Sequence, residues 1–219
     1  MTMDFQQARF NMVEQQVRPW DVLDQGVLDA LLQLSRDAFV PEAYRQLAYS
    51  DTRIPLGGGK FMMTPKLEAR MVQALGLKGT DRVLEIGTGS GYVTALLARF
   101  GRSVLSLEID AELAAESRRK LRAQGVVNAS VVEADGLAGS PDNGPFDAIA
   151  VTGALTVRSA ALEAQLAVGG RLFAVVGEGH AMPALLVTRV SQTDYHIESL
   201  FETELEPLVG AEPKPRFSF

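Results

Sequence analysis

Residues 83–92 read Val-Leu-Glu-Ile-Gly-Thr-Gly-Ser-Gly-Tyr. An apolar run halts at Glu85-Ile86 and gives way to three glycines in alternation, Gly87, Gly89 and Gly91. That is a buried strand breaking into a turn without side chains, where a ligand lies against bare backbone. The stretch also fixes the style of fold, because the chain beyond it repeats the same unit. Short apolar runs at 82–86, 103–109, 129–133, 146–151 and 171–176 are separated by helical segments at 92–99 and 111–124, the loop 135–145, and a further helix at 159–166 closed by Gly169-Gly170. Such alternation predicts an α/β, Rossmann-like doubly wound parallel sheet.

Two later runs, 184–190 and 195–205, flank a polar turn at 191–194 and predict an antiparallel pair at the C-terminal edge of the sheet. Before residue 79 the chain lacks a clear series of apolar strands. Val22, Leu23, Val27, Leu28, Leu31 and Leu32 recur at helical spacing behind Asp21 or Asp24 as N-cap. Residues 54–64 are a loop by composition, with Pro55 and Gly57-Gly58-Gly59, and Thr64-Pro65 reads as an N-cap and first helical position ahead of Leu67, Met71 and Leu75. The expected organisation is one domain over 1–219. It comprises an N-terminal helical extension and loop (1–78), a core (79–209) and an irregular tail from Gly210 carrying Pro213 and Pro215.

Charge narrows the function. Twenty-seven acids against 21 bases give a net charge of -6, a surface that repels nucleic acid and anionic membrane. The densest basic cluster, Arg118-Arg119-Lys120, reads as the solvated face of a helix. With no cysteine there are no disulfides, thiolate metal sites or cysteine nucleophiles, and no metal site is expected. No apolar run approaches the ~20 residues of a membrane span, and a cytoplasmic protein is expected.

The glycine spacing selects the cofactor. A dinucleotide site wants Gly-x-Gly-x-x-Gly, but here the third glycine is one position early and Tyr92 stands in its place. Glu85-x-Gly87-x-Gly89-x-Gly91 is the spacing of class I S-adenosylmethionine (SAM) methyltransferases. Glu108, 21 residues after Gly87, ends the second strand, where a carboxylate accepts both ribose hydroxyls. Asp135 ends the third strand before Gly136, where a carboxylate accepts from the adenine amino group. The expected cofactor site is Glu85, Gly87, Thr88, Gly89, Gly91, Glu108, Asp135, Gly136 and Thr152, at the carboxyl ends of consecutive strands. The Tyr-x-x-x-Lys pair of short-chain dehydrogenases is absent after all four tyrosines, Tyr44, Tyr49, Tyr92 and Tyr195, which argues against NAD.

Over residues 15–209 the chain resembles the protein-L-isoaspartate O-methyltransferase family. The resemblance rests on Asp37-Ala38-Phe39-Val40-Pro41, Ile54-Pro55-Leu56-Gly57, Pro65 with Ala69-Arg70-Met71, the glycine stretch, Asp135-Gly136 and Pro145-Phe146-Asp147-Ala148-Ile149. Gly177-Glu178 and Pro207-Leu208-Val209 close the series. It implies methylation of the free α-carboxylate of isoaspartyl residues in damaged peptides and proteins. Such an ester cyclises to a succinimide that reopens in part as normal aspartate. The nucleophile is already ionised at neutral pH, so positioning and dehydration suffice and no catalytic triad is needed. His180, in a loop by composition, is a candidate lining residue of the site.

The departures from the family pattern cluster where the acceptor binds. Lys60 replaces a Gln, Phe61 a Thr, and Met63 the family's active-site Ser, leaving Thr64 or Lys60 to substitute; Lys60, Met63 and Thr64 are therefore the catalytic candidates. Leu155 replaces a Pro, Val175-Val176 stand before Gly177 in place of Pro-Val, and Glu206 replaces an apolar residue. Three readings stand: an isoaspartyl methyltransferase with a variant loop, a SAM-dependent methyltransferase of another, more apolar small-molecule acceptor suited to Phe61, Met62 and Met63, and a non-catalytic SAM-binding module.

Overall fold

A computed structural model describes residues 4–212. The N-terminal part is helical. Helix α1 (Phe5–Met12) starts at Asp4, whose carboxylate accepts from the N–H groups of Gln6 and Gln7, and runs on through a wide π turn at Val13–Val17. Helix α2 (Gln25–Gln33) is capped by Asp24 rather than Asp21; Asp21 instead takes a left-handed conformation at the end of the preceding turn. Helix α3 (Pro65–Leu75) begins at Thr64-Pro65 as expected and ends at Gly76, φ +51°, but the Thr64 side chain makes no capping hydrogen bond.

Residues 54–64, expected as a loop, fold into a hairpin of β1 (Ile54–Gly57) and β2 (Lys60–Met62). Gly57, Gly58 and Gly59 take φ of +97°, +57° and +75°, a tip that only glycine forms without strain. Composition identified the glycines; the backbone ladder between Ile54 and Met62 they permit carries no compositional signal.

The core alternates as the sequence predicts. Strand β3 (Arg82–Ile86), helix α4 (Tyr92–Phe100), β4 (Ser103–Glu108), helix α5 (Ala111–Ala123), β5 (Ala129–Glu133) and β6 (Phe146–Val151) lead to β7 (Leu166–Val175), β8 (Met182–Arg189) and β9 (Tyr195–Thr203). The seven-stranded order is β5-β4-β3-β6-β7-β8-β9, parallel up to β7 and antiparallel through β8 and β9. One segment differs from expectation. The helix placed at 159–166 is only a single turn, α6 (Ala160–Glu163), and Gly169-Gly170 lie inside β7 instead of closing a helix. A Cβ on Gly170 would sit about 3 Å from the carbonyls of Ala167, Phe146 and Asp147, so glycine serves close strand packing there. Pro213 and Pro215 of the tail lie outside the described residues.

Apolar residues alternate across the sheet and divide the interior in two. Val83, Val104, Ala148, Ala150 and Phe173 face α1–α4, while Leu84, Ile86, Leu107, Ile149 and Val151 face the opposite layer with Leu162 and Leu166. Strand β3 lies between β4 and β6, whose connections run in opposite directions. A crevice opens there at the carboxyl ends of the strands.

Candidate functional site

The glycine turn forms the floor of that crevice. Gly87, Gly89 and Gly91 take φ of +90°, +52° and +85°. Thr152, just beyond β6, donates its hydroxyl to the carbonyls of Ile86 and Gly87, and a Cβ on Gly87 would lie 2.5 Å from that hydroxyl oxygen. Gly136 is held equally close, since its Cβ would lie 2.6 Å from Ile86 Cγ2. Backbone at both places is thus pressed against its neighbours, and the space above stays open.

One cleft gathers Ile86, Gly87, Gly89, Glu108, Asp135, Gly136 and Thr152. Glu108 is nearly buried; its Oε2 accepts from the N–H of Gly89 at 2.7 Å and its Oε1 from the N–H of Asp110 at 3.0 Å. A carboxylate offers about four acceptor sites, so each oxygen retains one for a ligand hydroxyl. Exposed Asp135 uses Oδ1 to accept from the N–H of Leu137 at 3.0 Å and presents the rest of its carboxylate at the mouth.

The hairpin covers one side of the cleft with Leu56, Gly58, Gly59, Lys60 and Phe61; the segment after β9, Glu206-Pro207-Leu208, forms another. Lys60 Nζ lies 3.0 Å from Asp110 Oδ2, joining the hairpin to the N-cap of α5. The N–H of Leu113 and, next, Lys60 hold the Asp110 carboxyl below the usual carboxylate range.

The other candidates lie elsewhere. Glu85 is fully buried on the opposite face of β3 from Ile86, where its Oε2 accepts from the Thr94 and Ser106 hydroxyls at 2.5 Å each. Burial pushes its pKa up to about 8. Its Oε1 has no partner. Thr88 joins this buried set through the Ser106 hydroxyl. Gly91 faces α5, where a Cβ would come 3.1 Å from Ser117 Cβ. These three support the turn from below.

Met62 and Met63 pack into the core. The Met63 carbonyl accepts from Arg36, which also pairs with Glu68 at 2.9 Å in full burial. Met63 and Thr64 border a second pocket with Trp20, Thr52, Arg53, Lys66 and the end of β9, which adjoins the glycine-lined cleft at Leu205 and does not include Lys60. Lys60 is therefore separated from the other two catalytic candidates. His180 is almost wholly exposed beside Glu204 and lines a third pocket.

Sequence reasoning gives no role to Arg53 and none to Leu208. Leu208 covers the glycine turn, and a Cβ on Gly153 would lie 2.7 Å from its Cδ2. The Pro207-Leu208-Val209 motif is the available signal. Arg53 carries none, because its acidic partners, Glu204 and Glu206, come from far along the chain.

Comparison with known proteins points the same way. The family model for protein-L-isoaspartate(D-aspartate) O-methyltransferase (PCMT) matches residues 8–213. Protein-L-isoaspartate O-methyltransferase 2 of Marinobacter nauticus is 42% identical over 213 residues, covering 97% of each chain. Protein-L-isoaspartate O-methyltransferase of Roseiflexus castenholzii is 42% identical over 208 residues, covering 95% of this chain and 94% of its own. A solved protein-L-isoaspartate O-methyltransferase superposes with TM-score 0.79 at 26% identity over 91% of this chain, which spans just under two thirds (65%) of that one. A Plasmodium falciparum protein assigned the same activity and crystallised with S-adenosyl-L-homocysteine superposes with TM-score 0.77 at 20% identity, covering 94% and 99% of the two chains, and shows the shared fold.

Proposed function

Because the chain belongs to the protein-L-isoaspartate(D-aspartate) O-methyltransferase family, we propose that it methylates the free α-carboxylate of isoaspartyl residues in peptides and proteins, using SAM. The observation that carries this reading is the convergence of Gly87, Gly89, Glu108 and Asp135 on one cleft at the strand ends. The donor set fits the cofactor. Glu108 suits a pair of ribose hydroxyls, Asp135 suits an adenine amino group, and the bare Gly87–Gly89 backbone admits the methionine part.

Held by Glu108, Asp135 and the Gly87–Gly89 backbone, SAM would supply a methyl group made electrophilic by its sulfonium, which a carboxylate oxygen of the acceptor would take up to give a neutral ester and a thioether. Opposite charges cancel in this step, so exclusion of water favours it. The protein's part is to hold the two ligands in line and dry. Leu56 and Phe61 from the hairpin and Leu208 opposite supply apolar walls. No side chain must remove a proton.

The more apolar acceptor loses its main support, since Met62 and Met63 fill the core. The protein is further proposed to work as one domain in the cytoplasm without nucleic acid or membrane; among the described residues no helix is long and apolar enough to cross a membrane.

The test is a methyl-transfer assay with an isoaspartyl peptide and its aspartyl twin. Base-labile methyl ester on the isoaspartyl form alone is expected. SAM binding with transfer to neither peptide refutes the reading.

A further inference from the structure

The acceptor's carboxylate needs a partner that holds it, and neither the candidates Met63 and Lys60 nor the neighbouring Lys66 serves as an accessible anion receptor. Met63 is turned into the core, Lys60 is tied to Asp110, and Lys66 lies 2.7 Å from Asp51 and over the Trp20 ring. Arg53 is placed differently. It precedes β1 and borders both the pocket containing Thr64 and the pocket containing His180. Its Nη1 donates to Glu206 Oε1 at 2.5 Å and lies 3.6 Å from Glu204 Oε1. Glu206 in turn lines both that third pocket and the cofactor cleft. The ion pair therefore stands where the three cavities meet. The guanidinium lies 5.7 Å from the centroid of Phe61, a residue of the hairpin over the cofactor cleft.

We propose that Arg53 is the receptor for the acceptor's carboxylate and that Glu206 occupies it until the acceptor arrives. This rests on the carboxyl-methylation reading above. A guanidinium presents a planar fork of donors that matches a carboxylate in two-point contact. Glu206 is itself a carboxylate, so the pocket's chemistry is already demonstrated by its internal occupant. The side chains of Arg53 and Glu206 are 36% and 32% exposed, and an ion pair about one-third exposed contributes little net stability. An incoming carboxylate exchanges with Glu206 without a large loss. The first turn of α3 and the Thr64 hydroxyl, uncommitted to capping, border the pocket on one side of the same guanidinium. The arrangement also selects. A neutral acceptor has nothing with which to displace Glu206, so the pair stays closed against it.

The experiment measures steady-state kinetics on an isoaspartyl peptide for the wild type, Arg53→Gln, Arg53→Lys and Glu206→Gln, with S-adenosyl-L-homocysteine titration as the control for folding. Arg53→Gln is expected to raise the peptide KM by about tenfold or more, the loss of a charged hydrogen-bonding partner, with inhibitor affinity unchanged. Arg53→Lys is expected to recover part of it, and Glu206→Gln to lower KM below the wild type. Arg53→Gln with an unchanged KM overturns the proposal, as does Glu206→Gln raising KM alongside it, the mark of a purely structural pair. A wild type that binds the inhibitor yet leaves the peptide unmethylated overturns the functional reading and this proposal together.

Discussion

Glu85 makes folding of this protein consume a proton. The carboxyl is fully buried on β3, and burial raises its pKa from an ordinary 4.5 to about 8, against the opposing effect of hydrogen bonds from Ser106 and Thr94. In the unfolded chain it is ionised above about pH 4.5. In the folded chain it stays protonated until about pH 8. Between those values the folded state holds one proton more, so this group's contribution to stability is complete below the lower value and is lost as pH rises through the upper one. At about 1.4 kcal/mol per pH unit for one proton, the loss from about pH 5.5 to 7.5 is about 2.5 kcal/mol, rounded down because the folded carboxyl begins to ionise near the top of the range. Glu85→Gln keeps the acceptor for Thr94 and Ser106 and removes the titration. Urea unfolding of both proteins across that range isolates the term, since the other groups cancel in the difference. The variant's stability relative to the wild type is expected to climb by about 2.5 kcal/mol over the two pH units, whatever its offset. Parallel profiles would show that Glu85 ionises in the fold and that the reasoning is wrong.

Other perturbations probe the cleft and its support. Glu108→Ala and Asp135→Ala are each expected to weaken SAM binding about tenfold to a hundredfold in calorimetric titration, from about 1.5–3 kcal/mol per lost charged hydrogen-bonding partner; unchanged affinity in both would remove the site assignment. Gly91→Ala forces a Cβ to within 3.1 Å of Ser117 at φ +85° and is expected to cost about 1–3 kcal/mol in urea unfolding. A stable variant there would mean that α5 yields freely. Arg36→Ala strands Glu68, whose carboxyl burial already pushes up against the pull of Arg36, and about 3–5 kcal/mol should be lost. Arg36→Met with Glu68→Leu is expected to recover much of it, and equal damage in the double variant would argue against an unpaired charge as the cause.

The strands β3, β5 and β6 begin and end where the sequence places them, because each is an apolar run bounded by polar or glycine residues. Helix α1 carries little sequence signal because its face is mostly polar and only Met12 is buried. The single turn at α6 reads as a longer helix because Leu162 and Leu166 suit one, yet Leu166 starts β7 beside Phe146. At the site, nearness in sequence to the glycines makes Glu85 look like a ligand group. Strand alternation sends it to the other face from Ile86, toward Thr94. Arg53 is illegible for a different reason: a lone arginine before a hairpin acquires its meaning chiefly from Glu206 and Glu204, which no local pattern joins to it.

The contact between Arg53 and Glu206 spans 153 residues. The glycine turn, Glu108, Asp135 and Thr152 come from one unbroken run of chain between residues 81 and 152, whereas Arg53 and Glu206 are brought together from its two ends. Loop closure over such a separation is entropically disfavoured until the intervening sheet exists. The polar floor proposed for the methyl donor thus comes from one segment, and the clasp, which closes a far longer loop, is expected to form late in folding. The terminal arms also wall the proposed donor site through Leu56, Phe61 and Leu208, so only its glycine and carboxylate floor belongs wholly to the central run. In the proposed reading, the polar groups that face the cofactor and the clasp that receives the acceptor come from different parts of the chain.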